Sequence, residues 1–133
     1  MIVADTNTIA YFIIPGERTQ QALTVFQKDS NWVAPLLWRS EFRNILSVHL
    51  RHSYISIRQA IEYMEKAETL MQDIGYIVNS SQVLDLSLNS GCTAYDCEFV
   101  ALAQDLGISM ITSDRKLLNA FPDFAISMEK FVA

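Results

Sequence analysis

An α/β fold with a central, mainly parallel sheet of four to five short strands is predicted by three observations. First, brief apolar runs, Ile2-Val3-Ala4, Asn31-Trp32-Val33-Ala34 and Ile108 to Thr112, alternate with longer stretches of helical periodicity. Second, the runs at Ile2 and Ile108 are continuously apolar rather than alternating, as in strands buried on both faces. Third, the 133 residues carry no repeat, low-complexity segment or linker. One domain over 1–133 is expected, long enough for roughly two-thirds of its unfolded surface to be buried.

The elements follow in order. The opening strand stops on Asp5 and leads into a short helix through Ile9, Ala10 and Phe12, before a turn at Pro15-Gly16. Thr19 to Lys28 reads as a helix striped by Ala22, Leu23, Val25 and Phe26, and the strand at Asn31–Ala34 is closed by Pro35. From Leu36 to about His52, Leu37, Glu41, Ile45 and Val48 form one helical line with Phe42 and Leu46 beside it. A second long helix follows Ser53 to Ser56. Its core stripe is read as Ile57, Ile61, Met64, Met71 and Ile74, ending before Gly75. Tyr76-Ile77-Val78 is expected as a brief strand and Ser80 to Asn89 as a helix with Val83, Leu84, Leu86 and Leu88, stopped by Gly91. Thr93 opens a helix running to Gly107. After the Ile108–Thr112 strand, Lys116 to Ala120 reads as a short helix, and Phe124 to Met128 as the last strand.

No basic segment precedes an apolar stretch at the N-terminus and the longest apolar run, Ile9 to Ile14, is far short of a membrane span, so a cytoplasmic protein without a membrane partner is expected. Cys92 and Cys97, five apart, lack metal-ligand spacing and read as reduced small hydrophobes. The net charge of −5 would ordinarily oppose a nucleic-acid partner. That total conceals a division: residues 35–60 carry Arg39, Arg43, Arg51, Arg58, His49 and His52 against Glu41 alone, whereas residues 61–105 carry eight acids and only Lys66.

Four acids stand where a strand ends or a helix begins or crosses the core: Asp5, Glu41, Asp96 and Asp114. Each admits a structural reading. Asp5 and Asp114 can cap the helices that follow them, and Asp96 completes a Thr93-x-x-Asp96 capping-box pattern. Glu41 fits that reading least, because a charge among Leu37, Ile45 and Val48 is costly to bury without a partner. In a parallel sheet, ligands bind beyond the carboxyl ends of the strands, where these acids could converge. Unit charges 4 Å apart repel by about 4 kcal/mol at an effective dielectric of 20, so such a cluster needs a cation or raised pKa values. Mg²⁺ or Mn²⁺ suits carboxylate oxygens, and water activated by such an ion can attack a phosphodiester in line. No histidine adjoins any of the four, so an imidazole base is not indicated; His49 and His52 read as surface or RNA-contacting groups. Asn44, on the Glu41 face, and Thr6, Asn7, Thr112 and Ser113, beside the strand-end acids, are suited to orient ligands or water. Glu98, rotated by about 200° from Asp96 around a helix, is expected in solvent.

The stretches Ala4-Asp5-Thr6-Asn7, Trp38 to Asn44, Tyr95 to Ala103 and Ile111 to Leu117 together resemble the successive motifs of PIN-domain ribonucleases, and more narrowly of VapC-type toxins of toxin–antitoxin pairs. The resemblance spans nearly the whole chain in the right order. It implies an α/β/α sandwich, Mg²⁺- or Mn²⁺-dependent cleavage of single-stranded or structured RNA, a homodimer, and a cognate antitoxin whose tail covers the site. By position it makes Asp5, Glu41, Asp96 and Asp114 the metal-binding catalytic quartet, with Thr6 and Asn44 in support. Many members have a small or neutral residue where Glu98 stands. Arg39 and Arg43, one helical turn apart, and Arg51 would guide a phosphate backbone or meet the antitoxin.

Other readings differ in class. A phosphatase or phosphotransferase with Asp5 as nucleophile needs an acid two residues on, and Asn7 stands there. An inactive, protein-binding PIN-like domain would be expected to have lost a carboxylate. An RNA-maturation nuclease without an antitoxin shares every residue named above.

Overall fold

The computed structural model describes all residues 1–133. Its sheet has four short strands, β1 (Ile2–Ala4), β2 (Trp32–Val33), β3 (Met110–Ile111) and β4 (Ala125–Ile126), in the order β2-β1-β3-β4. Every pairing is parallel, with Val3 opposite Val33 on one side and Met110 on the other. Parallel neighbours require crossovers, which the helices supply. They are α1 (Thr6–Ile13), α2 (Thr19–Lys28), α3 (Trp38–Arg51), α4 (Ile57–Leu70), α5 (Ser80–Ser90), α6 (Ala94–Leu106), α7 (Arg115–Ala120) and α8 (Met128–Val132). Helices α1 to α4 pack on one another with α8 against α2, while α5 packs on α6, which lies against β1 and β3. The result is the PIN-like α/β/α sandwich that the motifs implied.

The central strands are buried along their whole length, and β1 gives way directly to Asp5, which caps α1. Val3, Ala4, Met110 and Ile111 are fully buried and share one core with the fully buried Trp38, Phe42 and Ile9. Helix starts are set locally. Ser56 and Gln59 form a reciprocal capping box on α4, while Asn79, Thr93 and Ser127 cap α5, α6 and α8. Gly91 and Gly107 close α5 and α6 in the left-handed region, at φ 73° and 64°.

The structure corrects several expectations. Helix α4 ends at Leu70, because Gln72 and Asp73 take positive φ and unwind the chain before Gly75. Its core face is Ala60, Ala67 and the following Met71; Ile57 and Ile61 are exposed. Tyr76 makes only a single bridge with Pro35, so 76–78 is no strand, and Ile77 lies in solvent. On α5, Val83 is buried but Leu84 and Leu88 are exposed. The last strand covers only Ala125–Ile126, and Ser127 caps an unexpected helix, α8, over the residues after it. Cys92 and Cys97 are buried free thiols, and no helix is long and apolar enough to cross a membrane.

Candidate active site

The strand order creates the site. From β1 the chain crosses to β2 on one side and later returns through β3 on the other, so the winding reverses between β1 and β3, the place where open parallel sheets form a crevice. Asp5 leaves β1 at that crevice. Its amide donates to the Ile111 carbonyl at 3.2 Å, tying it to the end of β3. The Thr8 amide and hydroxyl donate to its Oδ1 at 2.8 and 2.7 Å, so Asp5 does cap α1. It also lines a cavity of about 370 Å³. Capping and cavity-lining coexist on one residue.

The same cavity is lined by Thr6, Asn7, Glu41, Asn44 and Asp96. Glu41 stands in the first turn of α3, half-buried, and the Thr6 hydroxyl donates to its Oε1 at 2.7 Å. The Leu37-Glu41-Ile45-Val48 line proves to be the half-buried rim of α3, while Trp38, Phe42 and Leu46 face the core. Asp96 stands in the first turn of α6, where the Thr93 hydroxyl accepts from its amide at 3.1 Å. Sequence-distant acids from β1, α3 and α6 thus share one cavity.

Asp114 lies apart from that cavity. It is exposed and caps α7, its Oδ1 accepting from the Lys116 and Leu117 amides at 2.8 and 3.2 Å. Its charge still reaches Asp96. Burial pushes the Asp5, Glu41 and Asp96 carboxyls above the ordinary carboxylate range, and neighbouring acids push the same way. Hydrogen bonds from Thr112 and Thr8 at Asp5, and from Thr6 at Glu41, oppose the shift. The three ion pairs of the protein, Met1–Asp29, Arg18–Glu129 and Arg39–Asp73, involve none of the four acids.

Thr112 is fully buried beneath the site, its hydroxyl accepting from the Asp114 amide at 3.1 Å, whereas Ser113 Oγ is engaged by Arg18 at 2.8 Å. Arg39 pairs with Asp73 at 3.3 Å, Arg51 donates to Ser47, and Arg43 is exposed; none of the three lines the cavity. Glu98 is half-buried rather than solvated. It borders an apolar groove of about 610 Å³ that shares Leu37 and Ser40 with the carboxylate cavity, and burial raises its carboxyl too. Two cations escaped the sequence reading. Lys116, whose charge opposes the shift at Asp96, was signalled by its place two residues after Asp114; Arg18 reaches Ser113 across 95 residues and had no local signal.

The donor set suits a hard divalent cation: carboxylate oxygens, one deeply buried, with no ion-pair partner of their own. As they stand, no three acidic, histidine or cysteine side chains converge closely enough to chelate an ion.

No protein-family model matches the chain. The ribonuclease VapC3 of Pyrobaculum aerophilum is 28% identical to it over 124 residues, covering 91% of this chain and 95% of that one. The crystal structure of PAE2754, from the same organism, superposes with a TM-score of 0.78 over 98% of this chain and 92% of that one; at 18% identity the likeness is one of fold. In its four ordered motifs, its sandwich fold and a likeness that runs along nine-tenths of its length, the chain is similar to the VapC-type PIN-domain ribonucleases.

Proposed function

We propose that the chain is a Mg²⁺- or Mn²⁺-dependent endoribonuclease and the toxin of a type II toxin–antitoxin pair, acting as a single-domain cytoplasmic homodimer restrained by its cognate antitoxin. The observation that carries the nuclease reading is the meeting of Asp5, Glu41 and Asp96 in one cavity without an ion-pair partner. Those three would hold the ion, with Asp114 adding charge from the edge. When bound, the ion supplies Lewis acidity, acidifying water and offsetting charge that develops on the phosphodiester. Around it, the Thr8 bonds fix Asp5 at the start of α1, and the Thr6 hydroxyl turns Glu41 toward the cavity. With Oε1 so engaged, Oε2 of Glu41 is the oxygen left free to hold the ion. Asn7 and Asn44 offer amides to the phosphate at the cavity wall. The toxin reading is supported by the similarity to VapC3.

The test is cleavage of total cellular RNA with Mn²⁺ by the wild type, Asp5→Asn and Asp96→Asn. Both variants should lose at least about 10²-fold in rate, the scale for deleting a charge-stabilising group at a reacting centre. Full activity in both, or in excess chelator, overturns the reading. Growth arrest on expression, relieved by a co-encoded small partner, tests the toxin assignment separately.

A further inference from the structure

Next to the carboxylate cavity lies a second one of about 450 Å³, and Asn7 and Ile45 belong to the walls of both. Its chemistry differs sharply. Tyr11, Glu17, Arg18 and His49 line it, giving flat and hydrogen-bonding groups in place of a carboxylate cluster. The Arg18 guanidinium lies over the Tyr11 ring, 4.9 Å from its centroid. It is held there by Ser113 Oγ at 2.8 Å, Gln21 Oε1 at 3.1 and 2.7 Å and Glu129 Oε1 at 3.0 Å. His49 Nδ1 lies 2.8 Å from the Ile45 carbonyl. A carbonyl only accepts, so Nδ1 carries the proton and Nε2 is left to make a further bond. Beyond His49, the exposed Tyr54 meets its ring edge-on at 5.9 Å and stacks on His52 at 5.3 Å.

We propose that this cavity is a nucleobase subsite for the nucleotide flanking the scissile phosphodiester, and that Tyr11, Arg18, His49 and Glu17 set the base preference of the cut. The inference rests on the ribonuclease reading above. The cavity's size lies within the range of small-molecule sites, and the shared Asn7 and Ile45 wall sets an occupant directly beside the carboxylate cavity. A base rather than a phosphate is favoured by charge, because Glu129 already pairs with Arg18 and Glu17 stands beside it. Bases stack on aromatic rings and guanidinium planes, and their edges are read by single donors and acceptors such as His49 Nε2 and the Glu17 carboxylate. The Tyr54–His52 pair continues the aromatic surface for the next base out.

Two measurements on the full chain test this. In NMR titrations with AMP, CMP, GMP and UMP, at least one nucleotide should shift the Tyr11 and His49 ring resonances, and His49→Ala should weaken its binding about ten-fold or more. In cleavage of a random-sequence RNA pool with Mn²⁺, sequenced ends of the wild type should show a base preference beside the cut. That preference should flatten in His49→Ala and change in Glu17→Gln, a surface substitution that leaves the core untouched. No ring shift with any of the four nucleotides, or a preference retained in both variants, overturns the subsite. If nucleotides bind at these rings but RNA stays whole, the base site stands and the ribonuclease reading falls. Cutting without ring shifts fells the subsite alone.

Discussion

At Asp5 a helix cap and a candidate metal ligand occupy one side chain, because the cap is made through Oδ1 alone while the residue still lines the cavity. Thr6 does the corresponding work for Glu41. Thr6→Val removes the 2.7 Å bond and should lower Mn²⁺ affinity or cleavage by roughly 10–100-fold, the range for groups that orient ligands, with the fold retained; calorimetric Mn²⁺ titration checks it, and an unchanged affinity and rate would refute it. The raised carboxyls make a second prediction. Asp5, Glu41 and Asp96 hold protons more tightly folded than unfolded, mainly through burial. Their stabilising contribution is full below the unfolded values and lost as pH rises through the higher folded ones. The metal-free chain should therefore gain stability as pH falls from 7 toward the upper carboxylate range. Asp29, lowered by its amino-terminal partner, acts in the opposite sense at more acidic pH. Urea midpoints at pH 7 and 5.5 measure this, with a smaller gain expected in Asp5→Asn; no gain in the wild type would contradict the burial argument.

Helix α3 delivers Glu41 to the cavity from a start pinned between two chain segments. The Leu36 amide donates to the Tyr76 carbonyl at 3.0 Å and the Tyr76 amide to Ala34 at 3.3 Å. Gly75 permits that approach. A Cβ there would fall 2.5 Å from Leu36 Cδ1 and 3.1 Å from its Cα and Cβ, and backbone cannot yield as a side-chain tip can. Gly75→Ala should destabilise the protein by about 1–3 kcal/mol, the usual cost of overpacking. Denaturant unfolding checks this, and an unchanged midpoint would show that the loop relaxes freely. Helix α4 shows why periodicity misleads on a surface element. Two apolar lines run along it, and the bulkier Ile57-Ile61 line suggests a core face. The observed face uses Ala60 and Ala67, with Met71 beyond, because small residues let the helix approach its neighbours closely.

For the whole molecule, the acidic total and a carboxylate cavity without ion pairs mean that a divalent cation should act as a folding ligand. Mn²⁺ at about 100 times its dissociation constant would add about 2.7 kcal/mol of stability. The thermal midpoint should rise with Mn²⁺ in the wild type and much less in Asp96→Asn; an equal rise in both would place the ion elsewhere. The basic island works less directly than its composition suggests, since Arg39 is paired with Asp73 and none of its arginines lines the cavity.

What the sequence by itself determined is what neighbouring residues decide. The buried runs at Ile2–Ala4 and Met110–Ile111, the caps at Asp5, Thr93 and Asp114, and the stops at Gly91 and Gly107 all depend on partners a few positions away. The motifs also singled out four acids as candidates. Only the tertiary structure decided which of them meet: Asp5, Glu41 and Asp96 in one cavity, Asp114 at its outskirts, Glu98 half-buried and Arg18 beside Ser113. Those relations follow from the strand order β2-β1-β3-β4, which sets side by side segments far apart in the chain, and no local spacing encodes which strand lies beside which.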